Sequence, residues 1–489
     1  MTLAQRELRR SRDLLVLAGL LVLAALLRLP DLATRGTWDA DQGHDMLVLR
    51  LLVRDGVVPL LGPPTSIGEF HHGAWYYYLL SPAAAVSAGE SPLAVVGLIA
   101  LAGIAAVGVT WWLARSIGGS AAGAVAGFAM AVSIAAIDES TFIWNPNLIP
   151  LASSLALAGA WQAWVTGRPR WWLLAAVGTA VTVQCHVLGV TLVPVVAALF
   201  VADIRRWRSH DQARGSLLRM GALAFAIIVL SYVPLVIHEL TADFSELRAA
   251  LDYLAGGRGA DSVAIPVRLG IVGLRVVSWP ISGLITSGFL PAVVSTAALI
   301  GLVAWRWRSP GTPARERVAV RWLGLGLVWT IVALSVAAPS LATVVPGLPN
   351  DHYHAFADPM VFVLVGLGLA ALARGGPGAA APSPPSLPSP PSLPSPAASR
   401  VRLRPGVLLA GGLVVALAGW NLAHRPPAAH PDGGFPAATS AARRVQAALD
   451  GARVPPEASI QVRSLPEFKS TEAIAYPLVN DGRVVDAMT

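Results

Sequence analysis

Apolar runs long enough to cross a bilayer recur along almost the whole chain, and nothing else in the sequence constrains the fold as strongly. A span needs about 17–25 predominantly apolar residues. Such runs, some of them shorter, fall near 14–29, 92–114, 120–137, 148–165, 171–185, 187–204, 219–237, 288–305, 322–338, 359–374 and 405–422. Hydrophobic residues make up 55% of the 489 positions and charged residues 13%, against about a quarter charged in an ordinary soluble protein. Inside lipid every backbone polar group has to be satisfied within its own segment, so the expected fold is all-α and polytopic. The positive net charge is not a nucleic-acid footprint, because no aromatic-basic face or nucleic-acid motif accompanies it. A single cysteine, Cys185, excludes an intrachain disulfide.

Arginine sorts the spans. Arg6, Arg9, Arg10 and Arg12 precede the first, Arg115 follows the second, and Arg168 and Arg170 follow the fourth. Arg205, Arg206, Arg208, Arg214 and Arg219 form one loop, Arg306, Arg308, Arg315, Arg317 and Arg321 another, and Arg374, Arg400, Arg402 and Arg404 flank the last connection. Eleven helices put all of these on one side, which the positive-inside rule makes cytoplasmic. The expectation is a multi-pass protein of the cytoplasmic membrane with its N-terminus inside and its C-terminus outside. Ala74–Ala88 is apolar enough to be taken as a span, but counting it would invert every later helix. It reads instead as an interfacial segment, with Trp75, Tyr76, Tyr77 and Tyr78 at headgroup level. Met46–Asp55 reads as a helix lying along the membrane and ended by Gly56 and Pro59. The first apolar run is followed by Arg28-Leu29-Pro30-Asp31, not by a small-x-small cleavage site, so an uncleaved helix with Arg28 snorkelling to the surface is expected.

These readings divide the chain into a membrane domain (1–374), a proline-rich cytoplasmic linker (375–404), a final span (405–422) and a small α/β extracytoplasmic domain (423–489). The linker holds two copies of Ser-Pro-Pro-Ser-Leu-Pro, at 383–388 and 389–394, and has the composition of an extended spacer. In the last domain, 437–449 reads as a helix and 459–464 and 483–486 as strands.

Four polar clusters fall on the extracytoplasmic side. They are Asp39/Asp41/His44/Asp45 with Arg50 and Arg54 downstream, then Glu69/His71/His72, then Asp138-Glu139, and then Asp351-His352-Tyr353-His354. His186 and His238 sit at outer helix ends, so seven of the ten histidines gather there. Ionisable groups at a membrane surface are costly and point to function. A carboxylate can take the proton of an attacking hydroxyl, and histidine, arginine or a bound metal can offset charge on a leaving phosphate. Interfacial aromatics can hold an isoprenoid tail. A nucleotide-activated donor fits less well, because no glycine-rich phosphate loop is present.

The stretches WDADQGHDMLVLRLLVRDG (38–56), LLGPPTS (60–66), HHGAWYYYLLSP (71–82) and DESTFIWNPNLIP (138–150) together resemble the GT-C superfamily of integral membrane glycosyltransferases. The likeness is to the branch holding protein O-mannosyltransferases and aminoarabinose transferases of lipid A. The resemblance implies an inverting transfer of a sugar from a polyprenyl-phosphate donor to an extracytoplasmic protein, lipid or glycan acceptor. It implies Asp41 as base and Asp138 as the second-loop acid. Asp39, Glu139, His71 and His238 are then candidates for acceptor or metal contacts, and His72, Tyr76, Arg50, Tyr353 and His354 for the donor phosphate and lipid. Many relatives have Asp-Glu where Asp41-Gln42 stands and a lysine where His72 stands; the glutamine removes one ligand that a divalent metal ion would use. A lipid-linked sugar flippase or transporter, and a polysaccharide polymerase or ligase, are the alternatives. A transporter should carry ionisable or helix-breaking residues at the midplane in related repeats, whereas here the polar residues gather at one surface.

Overall fold

The computed structural model describes residues 3–65, 70–255, 263–283, 289–342, 351–375, 405–463 and 471–486. Helix α1 (Leu3–Arg28) leads into a loop carrying α2 (Ala40–Arg50), a hairpin of β1 (Leu61–Pro64) and β2 (His71–Gly73), and α3 (Trp75–Ala85). There follow α4 (Leu93–Gly118), α5 (Ser120–Val132), a short α6 (Ile134–Asp138), α7 (Ile149–Thr166), α8 (Trp171–Cys185), α9 (Leu192–Arg206) and α10 (Asp211–Leu230). Short helices α11 (Val233–Thr241) and α12 (Ser245–Ala255) precede α13 (Ile265–Ser282), α14 (Phe289–Arg308), α15 (Ala314–Ala337), α16 (Asp358–Ala373) and α17 (Pro405–Ala423). The chain closes with α18 (Gly434–Gly451), α19 (Thr471–Asn480) and a parallel pair of two-residue strands, β3 (Ile460–Gln461) and β4 (Val485–Asp486).

Among the described residues, nine helical runs are long and apolar enough to cross a membrane, and α5 and α8 are apolar but shorter. Helix α16 is buried along almost its whole length and forms the centre of the bundle, whereas α10 and α17 lie uncovered at its rim. A helix apolar on all sides belongs inside or in lipid, and this bundle uses both places. Small residues let backbones approach, as expected where helices associate by close packing. A Cβ on Gly178 of α8 would lie 2.4 Å from the Ala152 carbonyl of α7, and one on Gly366 of α16 would lie 2.5 Å from the Ala122 carbonyl of α5.

Two opposite faces result. On one, Arg306 donates to Glu316 at 3.0 and 2.8 Å, Arg374 reaches Glu316 at 3.4 Å and the Gly118 carbonyl at 3.0 Å, and Arg115 pairs with Asp13. On the other lie the first loop, the Asp138 loop and the end of α17, where Asn421 accepts from the Ile134 N–H at 2.8 Å.

Helix α13 stands apart from the expected spans. It is long and apolar enough to cross, and its second half reaches the second face. Gly273 faces Ile331, Arg275 donates to the Leu341 carbonyl at 2.6 Å, Trp279 reaches Glu139 at 3.2 Å and Ser282 meets Ser295 at 3.4 Å. Tyr253, just before it, bonds the Ala337 carbonyl and packs on Phe70 of the first loop. Arg28 also departs from expectation. It does not snorkel but is fully buried, donating to the Met130 and Ala131 carbonyls at 3.0 and 2.9 Å and to Ser140 Oγ at 3.3 Å. Those carbonyls end α5, whose backbone breaks at Ser133 (φ −59°, ψ 123°), so the guanidinium fork satisfies groups that the helix cannot.

The helix expected from Met46 begins six residues earlier, at Ala40, and widens into a π-turn over Leu51–Asp55. Gly56, at φ 69°, closes it in the left-handed conformation. The C-terminal segment has α18 and the strand pair close to their expected positions, while α19 was not foreseen. The serine-proline repeats lie outside the described residues. The C-terminal segment docks on the first loop: the His430 N–H donates to the Thr34 carbonyl at 2.8 Å, Trp38 Nε1 to the Ala473 carbonyl at 3.0 Å and Tyr476 Oη to the Gly89 carbonyl at 3.0 Å.

Candidate active site

The start of α2 builds one wall of a polar cavity of about 200 Å³. Asp39 is its N-cap: Asp39 Oδ1 accepts the Asp41 N–H at 2.9 Å, and Gln42 Oε1 accepts the Asp39 N–H at 2.8 Å. This reciprocal capping box fixes the chain direction. Gln42 Nε2 also donates to the Ile143 carbonyl at 2.9 Å, tying α2 to the loop after α6. An amide does both tasks, and a glutamate could not donate. Asp41 and Asp45 are one turn apart and line the cavity together with His44.

Asp45 is buried, with Tyr76 Oη donating to Oδ2 at 2.6 Å and Tyr77 Oη to Oδ1 at 2.9 Å. Burial pushes its carboxyl up to about 7, although the two tyrosine hydrogen bonds pull the other way. In the fold the group keeps its proton to about pH 7, and in the unfolded chain it loses it near 3.8. Between those values the folded state binds more protons, so this group's contribution to stability falls as pH rises. Asp45→Asn should remove that slope. Apparent melting temperatures of wild type minus variant, followed across that window, check it.

Aromatic and imidazole side chains also line the cavity. His72, on β2, is buried and its ring lies 4.6 Å from that of His186, between α8 and α9. His72 Nδ1 accepts the Val187 N–H at 3.3 Å and His186 Nδ1 accepts the Leu188 N–H at 3.2 Å. Each ring therefore carries its proton on Nε2. Burial lowers both pKa values, that of His186 to about 3, so the pair is neutral at physiological pH. Tyr353 packs 5.2 Å from His186, and Asn145, Trp144 and Glu472 complete the lining. Among the described residues no lysine or arginine lines this cavity.

Of the residues singled out in the sequence, Asp41, His72 and Tyr353 line the cavity, Asp39 caps the helix behind it, and Tyr76 lies beneath Asp45. The others lie elsewhere. Asp138 ends α6 near Arg35 and His430, and burial raises its carboxyl. Glu139 is buried under Trp279 beside Asp358 and His354, and His354 lies 3.7 Å from Asp358. His71 pairs with Glu246 at 2.9 Å, His238 meets Ser245 at 3.2 Å, and Arg50 lies 3.9 Å from Glu90. His44 and Asp45 belong to the first acidic cluster and His186 to the outer histidines, so a signal existed for all three. Asn145 lies inside the Asp138 stretch, but nothing in the sequence near Glu472 pointed to the site. Among the described residues no three His, Cys, Asp or Glu side chains are placed to hold a metal ion.

No family model matches the sequence, and no curated protein matches it. Solved structures do. ArnT from Cupriavidus metallidurans bound to undecaprenyl phosphate aligns with a TM-score of 0.52 at 15% identity, over 97% of this chain and 86% of that one. The chain shares the fold of this ArnT structure. The apo form of the same ArnT aligns at 0.48 and 17% identity over the same shares. The oligosaccharyltransferase AglB from Archaeoglobus fulgidus, in complex with an inhibitory peptide and a dolichol-phosphate, aligns at 0.49 and 15% over 97% of this chain and 64% of that one. Within this fold the cavity lies where the first loop, the loop after α6 and the segment leading into α16 meet.

Proposed function

We propose that this protein is an inverting membrane glycosyltransferase that moves a sugar from a polyprenyl phosphate to a hydroxyl acceptor outside the membrane. The observation that carries the reading is one cavity lined both by the Asp41 carboxylate and by two neutral imidazoles, His72 and His186. The ArnT structure of the same fold holds undecaprenyl phosphate, which supports a lipid-phosphate donor. The acceptor oxygen attacks the anomeric carbon while the bond from that carbon to the phosphate oxygen breaks. The acceptor proton passes to Asp41, and polyprenyl phosphate leaves. His72 and His186 Nε2–H and the Tyr353 hydroxyl offset charge growing on the phosphate without themselves being cations. A single displacement inverts the anomeric centre.

In this reading the eight long apolar helices other than α13, with α1, α5 and α8, make eleven crossings. The arginine face is cytoplasmic, α13 lies along the outer surface, and residues 423–489 form an extracytoplasmic domain over the site. In sealed cells a cysteine replacing Glu457 should react with an impermeant thiol reagent, and one replacing Ser209 should not. Labelling at Ser209 would move the cavity to the wrong side.

Mass spectrometry of the cell envelope tests the function. Cells lacking the gene should lose one sugar from an envelope lipid, protein or glycan and accumulate the corresponding polyprenyl-phosphate sugar. An unchanged envelope would exclude the transferase reading. Lipid-linked sugar retained on the inner leaflet would favour a transporter.

A further inference from the structure

Helix α19 reaches the cavity from the far end of the sequence, more than 400 residues after α2. It lies against α2 so closely that a Cβ on Gly43 would sit 2.2 Å from the Glu472 carbonyl oxygen and 2.7 Å from the Ala473 nitrogen. Four contacts hold it there. Trp38 Nε1 donates to the Ala473 carbonyl at 3.0 Å, and the Trp38 and Tyr476 rings lie 5.5 Å apart. Tyr476 Oη donates to the Gly89 carbonyl at 3.0 Å, and Asn480 Nδ2 to the Glu90 carbonyl at 2.9 Å. The result of this docking is that the Glu472 side chain lines the same cavity as Asp41 and His44.

From this docking we infer that α19 is a wall of the active site and that Glu472 orients the acceptor, accepting hydrogen bonds from hydroxyls beside the one that reacts. The inference rests on the transferase reading above. The lining falls into two groups. The imidazoles and Tyr353 pack on one another and suit phosphate oxygens, whereas Asp41 stands on α2 and Glu472 on the helix packed against it, a pair of carboxylates that would repel a phosphate. A carboxylate is an acceptor only, so the group it meets has to bring protons, as a polyhydroxyl compound does. Glu472 is also the foremost charge raising the His44 imidazole against the effect of burial, which supports its nearness to α2. Gly43 has a matching role: any side chain there would push α19 away and withdraw Glu472 from the cavity.

The test uses the full-length purified protein, an undecaprenyl-phosphate hexose as donor and a titrated detergent extract of the native envelope as acceptor. Glu472→Gln should raise the apparent acceptor KM about tenfold, the loss of one hydrogen bond to a charged group. The donor KM and the slow release of free sugar to water should stay within about twofold. Gly43→Ala should show the same split. An unchanged acceptor KM in Glu472→Gln, or an equal loss in transfer and in hydrolysis, would overturn the inference. A wild-type protein that never releases undecaprenyl phosphate would instead count against the transferase reading. The placement is then read separately from the NMR titration of His44, whose pKa should fall in Glu472→Gln. A His44 titration unmoved by the substitution would remove Glu472 from the cavity whatever the activity.

Discussion

Replacing Asp41 with asparagine should lower sugar transfer by about two to four orders of magnitude while leaving expression and donor binding intact. The substitution keeps shape and most hydrogen bonding but removes the basic oxygen that takes the acceptor proton. A loss through unfolding is not expected, because the cap of α2 is Asp39 and not Asp41. Asp39→Asn is the matched control. Asparagine caps nearly as well as aspartate, so transfer should stay within a few-fold, whereas Asp39→Ala should cost about 1 kcal/mol of local stability. Turnover of purified variants, with melting temperatures measured alongside, separates the two roles. Near-normal transfer by Asp41→Asn would take the base away from Asp41 and pass the task to Asp45 or Glu472.

The largest stability effect is expected at Arg28. Its guanidinium donates to two carbonyls at the end of α5 and to Ser140, all of them away from solvent. Arg28→Met fills much of the volume but leaves those carbonyls without partners, at about 1–3 kcal/mol for each buried polar group. The expected loss is on the order of 3–5 kcal/mol, seen as a marked drop in apparent melting temperature in detergent. Arg28→Lys should recover only part of it, because one ammonium cannot reproduce the planar fork. If Arg28→Met melted like wild type, the break after α5 would have to be satisfied by some other group.

The sequence made the membrane class and most of the spans legible, because apolar length and arginine placement are strong, additive signals that no tertiary contact reverses. It did not show α13. That helix carries Arg268, Arg275 and Pro280 within its apolar run, which break the pattern of a span. Two of the contacts that place it, to Leu341 and Glu139, come from far away in sequence. The acidic cluster of the first loop was readable as a site, but the division of labour within it was not. Asp45 differs from Asp41 through its burial, under two tyrosine hydroxyls that fold onto it from α3. The same holds for the histidines: His72 and His186 become a neutral donor pair because backbone N–H groups after α8 take up their Nδ1 atoms. Asp138, a conspicuous acid in the next outer loop, lies outside the lining of this cavity, near Arg35 and His430. Glu472 belongs to a helix with no motif, placed by the absence of a side chain at Gly43.

The most direct measurement follows the purified protein in proteoliposomes supplied with a radiolabelled undecaprenyl-phosphate sugar and an envelope-derived acceptor. The transferase reading predicts release of undecaprenyl phosphate in step with labelled product. NMR should then show the anomeric configuration of the transferred sugar inverted relative to the donor, and Asp41→Asn should abolish both signals. Movement of the intact lipid-linked sugar between leaflets, with no cleavage of the bond between sugar and phosphate, would contradict it.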